Sequence, residues 1–238
     1  MKLKILFLLV FTNVFSQVQM PIQVEETPYL LSKGTFQLEN AFGFKKINIS
    51  DKIILLPSTL IKYGLSNFLE LRVTTEFQID NLSNNYSFNP LIIGFKTKIL
   101  KEKSWIPEMA LVSQVAIPKL ASKANELDRF APELQIMMQG NYSDLFSMNY
   151  NSGVKWNGFD ENLFYTYKFT SNFTFSQKWS CYSEIFGNYS SFQKPDTNIN
   201  NGIMCLVNND MFLDLSAGFG ISEQSPSWFC AMIYSVRL

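Results

Sequence analysis

Histidine occurs nowhere in these 238 residues. Its absence removes the Ser-His and His-Asp constellations on which most hydrolases depend, and with them most zinc and haem ligation. Cysteine is scarce. Cys181, Cys205 and Cys230 are odd in number, widely spaced and set in strand-like runs, which fits neither a disulfide scaffold nor a zinc site. They read as small apolar wall residues. Charged residues make up 17% of the chain, whereas soluble domains carry about 25%. Formal net charge is zero and no basic tract appears, which argues against nucleic acid as a partner. There is no Walker loop, dinucleotide fingerprint or EF-hand loop, so no metal, cofactor or enzymatic activity is expected. After the first sixteen positions no apolar run approaches the roughly 20 residues of a membrane-spanning helix.

What the chain does have is alternation. In Phe68 to Asp80, FLELRVTTEFQID, one face carries Leu69, Leu71, Val73, Thr75, Phe77 and Ile79 and the other Glu70, Arg72, Thr74, Glu76 and Gln78. A period of two is a β-strand signature that a helix could not produce. The pattern recurs along the sequence. Thr35, Gln37, Glu39, Ala41 and Lys45 oppose Phe36, Leu38, Phe42 and Phe44, and Leu60, Lys62 and Gly64 oppose Ile61, Tyr63 and Leu65. Ile92, Gly94, Lys96 and Lys98 oppose Leu91, Ile93, Phe95 and Ile99, and Glu108 to Gln114 and Glu133 to Asn141 follow the same rule. Pro57 is tolerable only near a strand end or at a bulge. The run Gly202 to Val207 is apolar on both faces and is the least clear.

Counting these runs predicts about twelve strands of about ten to fourteen residues, where strands in soluble proteins average about five or six. At roughly 3.3 Å per residue and a tilt near 40°, eleven residues rise about 28 Å, the height of an outer-membrane apolar band. The links sort by rim. Ile47 to Asp51, Asp80 to Ser87, Lys119 to Arg129, Asn157 to Glu161, Ser190 to Ile199 and Ser222 to Ser227 are mostly longer and polar. Gly64 to Asn67, Tyr142 to Asp144, Phe175 to Lys178 and Asn208 to Asp210 are tight, and Lys101 to Trp105 is the exception. Long loops on one rim and short turns on the other are the outer-membrane arrangement.

These features predict an all-β, transmembrane antiparallel β-barrel in the cell outer membrane. Met1 to Ser16 reads as a cleaved signal peptide, with Lys2 and Lys4 before the apolar Ile5 to Phe15 and small residues before Gln17. Residues 17–33 are polar, carry Pro21 and Pro28, and are expected as an extended periplasmic segment, with a partial plug of the lumen as the other course. Residues 34–238 form the barrel. The last strand ends with Tyr234, Val236 and Leu238 on its apolar face, as signals read by the barrel-assembly machinery do, although such signals favour a terminal aromatic. Membrane lipid and a small solute are the other expected partners.

The expected lumen-facing candidates are Glu39, Lys62, Glu70, Arg72, Glu76, Lys96, Lys98, Gln114, Glu133, Lys168, Glu184 and Asp214, with Gly153, Gly218 and Gly220 leaving local space on the same face. Both signs are present. Such a wall can orient a polar solute, or its ion pairs can fill a small barrel and hold it rigid.

Several stretches also resemble a known outer-membrane family labelled as a phenol meta-pathway degradation protein and often called simply a transporter. They are TPYLLSKGTFQLENAFGF, LIKYGLSNFLELR, LIIGFKTKILKEKSWIPEMALVSQVAIP, FLDLSAGFGI and the closing WFCAMIYSVRL. The resemblance spans most of Thr27 to Leu238. It implies an outer-membrane β-barrel of a Gram-negative cell, with no agreed substrate and no catalytic residues to carry over. The expected function is a channel or transporter for small solutes; the alternative is a filled, non-conducting barrel with a structural or surface-interaction role.

Overall fold

The computed structural model describes residues 27–47, 52–80 and 85–238. The strands are β1 (Phe36–Lys46), β2 (Lys52–Ser66), β3 (Leu69–Asp80), β4 (Asn85–Phe88), β5 (Ile92–Leu100), β6 (Glu108–Ala116) and β7 (Ala131–Asn141). They continue as β8 (Phe146–Trp156), β9 (Leu163–Thr174), β10 (Trp179–Tyr189), β11 (Asp196–Asn208), β12 (Met211–Gly220) and β13 (Trp228–Arg237). One 3-10 turn, Lys123–Asn125, lies between β6 and β7. Every pairing is antiparallel, and β1 pairs with both β2 and β13, which closes the sheet into a barrel.

Among the described residues the strands number thirteen but the staves of the barrel number twelve. β3 pairs with β5 from Leu69↔Thr97 to Thr74↔Ile92 and with β4 from Phe77↔Phe88 to Asp80↔Asn85. β4 and β5 are therefore one stave, interrupted at Asn89, Pro90 and Leu91. Proline has no N–H for the ladder, and Leu91 turns its own groups to the loop beyond β6, donating to Leu120 O and accepting from Ile117 N. Pro57 also sits in an irregularity, since the β2 register shifts between Leu55 and Ser58.

Burial settles which phase of each strand is which. In a soluble sandwich the apolar set would be covered. Here Glu70 on β3 is 1% exposed while Phe77 on the same strand is 50% exposed, and on β12 Asp214 is 0% and Leu215 46% exposed. Polar side chains line the interior and apolar ones face outward into lipid. Outward aromatics pair near both rims: Phe36 with Tyr63 and Phe146 with Phe173 at the short-turn end, Phe44 with Trp228 and Phe77 with Phe88 at the long-loop end. These are the positions of the two interfacial girdles of an outer-membrane barrel. Cys181, Cys205 and Cys230 are free thiols, each half-buried.

Two boundaries differ from the sequence expectation. β11 begins at Asp196, so the stretch Ser190 to Ile199 is a loop only as far as residue 195. The link Lys101 to Trp105, the exception among the tight turns, belongs to a small hairpin over residues 101–107 in which Lys103 and Ile106 exchange both main-chain hydrogen bonds. Ser104 takes a left-handed conformation with φ 56° at its tip. The signal-peptide reading and residues 17–26 lie outside the described residues.

Candidate functional site

The interior wall is built from alternate residues of every stave, so the period-two pattern of each strand becomes a lining. Several of its charges are held in ion pairs, most of them between neighbouring staves. On β1 and β2, Lys62 Nζ lies 2.6 Å from Glu39 Oε1, which also accepts from Gln37 Nε2 at 2.6 Å. On β3 and β5, Glu70 Oε1 is 3.4 Å from Arg72 Nη1 and 3.8 Å from Lys96 Nζ. Lys98 on β5 reaches Glu108 on β6 at 2.7 Å. Gln114 on β6 donates to Glu133 Oε2 on β7 at 2.9 Å. Across β9 to β12, Lys168 Nζ is 3.1 Å from Glu184 Oε2, Asn200 Nδ2 donates to Glu184 Oε1 at 3.0 Å, and the Tyr182 hydroxyl donates to Asp214 Oδ1 at 3.1 Å. Glu76 on β3 accepts at Oε1 from Asn89 Nδ2 and at its carbonyl from Asn89 N, 2.8 Å away.

The structure thus gathers the candidates read from sequence into four local groups. Glu39 and Lys62 form one; Glu70, Arg72 and Lys96 a second; Lys98 and Glu108 a third; Lys168, Glu184 and Asp214, tied together through Tyr182 and Asn200, a fourth. Gln114 pairs with Glu133, and Glu76 sits higher on β3 under Asn89.

The periplasmic end of the interior is not empty. Of the two courses open to residues 17–33, the described part, Thr27 to Lys33, takes the inward one. Leu31 N donates to Glu70 Oε2 at 3.0 Å. Lys96 Nζ donates to the carbonyls of Thr27 at 3.2 Å and Tyr29 at 2.8 Å. Asn141 Nδ2 on β7 donates to the Tyr29 hydroxyl at 2.9 Å and also to Glu102 Oε2 at 2.7 Å. Pro28 is fully buried. On β2, Gly64 makes room for this strap, because a Cβ there would stand 2.1 Å from Ser32 O. The strap lies against β2, β3, β5 and β7, and two of the charges expected to meet solute, Glu70 and Lys96, hold the protein's own main chain.

A second inward contact lies toward the long loops. Ser122 accepts from Phe88 N at 2.8 Å, and Asn125 Nδ2 donates to Ser87 Oγ at 3.1 Å and to Asn89 Oδ1 at 2.6 Å. The 3-10 turn of the β6–β7 loop is thereby fixed to β4 beside Glu76.

The glycines do not leave free space. A Cβ on Gly218 would meet the Phe229 ring at 2.4 Å, one on Gly220 would meet Ser225 Cβ at 2.1 Å, and one on Gly153 would meet Thr166 Oγ1 at 3.0 Å. Each glycine is filled by a neighbour. Sequence reasoning also missed Asp196, Asn198 and Asn200, although Asp196-Thr197-Asn198-Ile199-Asn200 alternates like any other stave. An apolar part of the lining was missed as well: Ile53 and Leu55 on β2 and Phe229, Ala231 and Ile233 on β13 are all buried, as is Val112 on β6, which the alternation had placed on the face of Glu108 and Gln114.

The family model described as "Putative MetA-pathway of phenol degradation" matches residues 22–238. The chain belongs to this family. No curated protein matches it in sequence. Among solved structures it is similar to the COG4313 outer membrane channel from Pseudomonas putida F1, with 12% identity over 91% of this chain and 100% of that one and a TM-score of 0.72. The KdgM porin matches at 9% identity over 84% and 97% of the two chains, TM-score 0.56. The NanC porin matches at 7% identity over 84% and 100%, TM-score 0.61. At these identities the likeness is one of fold, and that fold is the outer-membrane β-barrel of channels and porins. The family member described here is an outer-membrane protein.

Proposed function

We propose that this family member is a channel for small solutes whose periplasmic end is closed by its own N-terminal strap. The observation that carries the reading is the manner of the strap's attachment. Two lumen side chains, Glu70 and Lys96, bind its main-chain N–H and carbonyl groups, supported by Asn141 on the Tyr29 hydroxyl. Hydrogen bonds to ionised groups are worth about 1.5–3 kcal/mol each, enough to hold a strap and few enough to be released. The buried Pro28 adds an apolar contact. The family description supports a small aromatic solute. The lining would suit one, since the Phe186 and Phe229 rings meet edge to face at 6.0 Å beside hydrogen-bonding groups.

The experiment is planar-bilayer conductance of the whole protein against a form lacking residues 17–31 behind an intact signal peptide. Larger or more frequent current steps in the shortened form support a strapped channel. Two silent proteins that both still show heat-modifiable migration on gels favour the second reading, a filled barrel. That reading draws on the near-complete burial of Glu70 and Asp214.

A further inference from the structure

Three lumen charges, Lys45, Lys155 and Asp196, belong to none of the four groups described above, and the topology carries them to one rim. Lys45 and Lys155 each stand one residue before the long-loop end of their strands, β1 and β8. Asp196 opens β11 and Glu133 is the third residue of β7, both at that same rim. Because β4 and β5 make one stave, β1 and β8 lie six staves apart in either direction around the ring of twelve. Lys45 and Lys155 therefore enter the lumen from opposite walls, and Asp196 stands three staves from each.

At the backbone these walls are far apart. Twelve staves about 4.8 Å apart and tilted near 40° close a circle about 24 Å across. Only long side chains can bridge such a width, and here their charges meet. Those of Glu76, Asp196 and Lys155 all act on Lys45, and those of Glu133 and Asp196 act on Lys155. Glu133 is the direct partner of Lys155 on β7, yet among the described residues the two form no ion pair. The acids are fixed by neutral donors. Asp196 accepts at Oδ1 from Ser225 Oγ at 2.6 Å and from Asn198 Nδ2 at 2.8 Å. Glu76 is 7% exposed, accepts at Oε1 from Asn89 Nδ2, and has no hydrogen-bond partner at Oε2. The interior keeps open space at this level: Lys45 and Lys155 are only half-buried, whereas beside the strap Glu70 and Lys96 are 1% and 2% exposed.

We propose that Lys45, Lys155, Glu76 and Asp196 form a constriction across the long-loop end of the lumen that sets the charge selectivity of the pore. Charged side chains ringing a narrow bore focus the field on whatever passes between them. Two ammonium groups reach in from opposite sides, and two carboxylates held in the wall stand between them, so small ions and organic acids are sorted here by charge. The selectivity role rests on the channel reading; the meeting of the side chains does not.

Two measurements on the full chain test it. In the first, the reversal potential is read in a potassium chloride gradient. Lys45→Gln and Lys155→Gln should each raise the potassium-to-chloride permeability ratio about fivefold, the effect of one charge about 4 Å from a passing ion in water, and Glu76→Gln should lower it by a similar factor. Lys168→Gln is the control, since Glu184 holds that lysine to the wall at 3.1 Å, and it should move the ratio less. A ratio that the Lys45 and Lys155 substitutions leave unchanged, or that Lys168→Gln moves as far, overturns the proposal. If Lys45→Gln does not fold, Lys155→Gln decides it alone. In the second, urea unfolding from lipid vesicles is followed for Lys45→Met, Lys155→Met and the double variant. The two ammonium groups repel, so each single substitution relieves the same repulsion, and the double variant should lose more in urea midpoint than the sum of the single losses. Additive losses, the behaviour of sites more than about 10 Å apart with no shared partner, mean that the lysines do not meet and overturn the proposal. A barrel that passes no current refutes the channel reading and the selectivity role with it, and the unfolding measurement then still decides whether the charges meet.

Discussion

The main-chain N–H of Leu31 donates to Glu70 Oε2 across 3.0 Å, so a carboxylate of the lumen wall is taken up by the chain's own N-terminal segment. Lys96 completes the grip from β5 on Thr27 and Tyr29. Glu70→Gln removes the charge from this bond and from the ion pairs to Arg72 and Lys96. A loss of about 2 kcal/mol from the closed state corresponds to about a 30-fold gain in the released population. Single-channel recording should show a matching rise in open probability. An open probability equal to wild type would show that the strap does not control the pore.

Gly64→Ala reaches the same state by steric means. The added Cβ would stand 2.1 Å from Ser32 O and 3.0 Å from Leu31 O, both main-chain atoms that can yield only by moving the strap. Its conductance should resemble that of Glu70→Gln while its ion selectivity stays that of the wild type, because no charge has changed. Protease added from the periplasmic side should cut near residues 27–33 faster in both variants.

Lys62→Met leaves Glu39, 2% exposed, without the ammonium at 2.6 Å and with only the Gln37 amide as donor. Removing one partner of a buried pair strands the other, at a cost of about 3 kcal/mol in urea unfolding from lipid vesicles. Replacing both, as Lys62→Met with Glu39→Leu, should recover most of that stability. A single substitution as stable as wild type would mean that water reaches Glu39.

The barrel was open to reading in the sequence because each stave keeps period two over its whole length, and FLELRVTTEFQID does so almost without exception. The strap was not. Its contacts run through the N–H of Leu31 and the carbonyls of Thr27 and Tyr29, and main-chain groups leave no trace in a side-chain pattern. The start of β11 was hidden for another reason. Asn201 puts a polar residue on the outward face, between Asn200 and Gly202, and breaks the alternation where the strand should announce itself. Gly218 and Gly220 were read as space in the bore. Which neighbour fills a glycine depends on the register of β12 against β13 and on the fold of the loop at Ser225, and neither is visible in one strand's sequence.

Lys194 and Glu223 join the loops after β10 and β12 by an exposed ion pair. The hydrogen bond and charge of Lys194 hold the Glu223 carboxyl below its ordinary value. A carboxyl lowered by folding contributes stability above its unfolded value and loses that contribution as pH falls through the folded one. Between about pH 6 and about pH 3, proteolysis within residues 190–195 and 221–227 should therefore quicken with acid. Lys194→Met should be fast throughout and flat with pH. A wild type as flat as that variant would show that the pair does not tie the loops together.

Leu215 is 46% exposed on the outward face of β12, between Ile203 of β11 and Met232 of β13. Its neighbour in sequence, Asp214, is fully buried on the inward face. If the outward phase meets hydrocarbon, Leu215→Arg should lower the stability of the folded barrel in vesicles by about 2–4 kcal/mol, the cost of arginine near the bilayer midplane. The same arginine placed on the outward face nearer a rim, as at Thr197, should cost about 1 kcal/mol or less. That depth dependence separates lipid from a protein partner as the cover of this face. A protein interface would penalise both positions by contact and not by height, and equal losses at Leu215 and Thr197 would put protein where the bilayer is placed here.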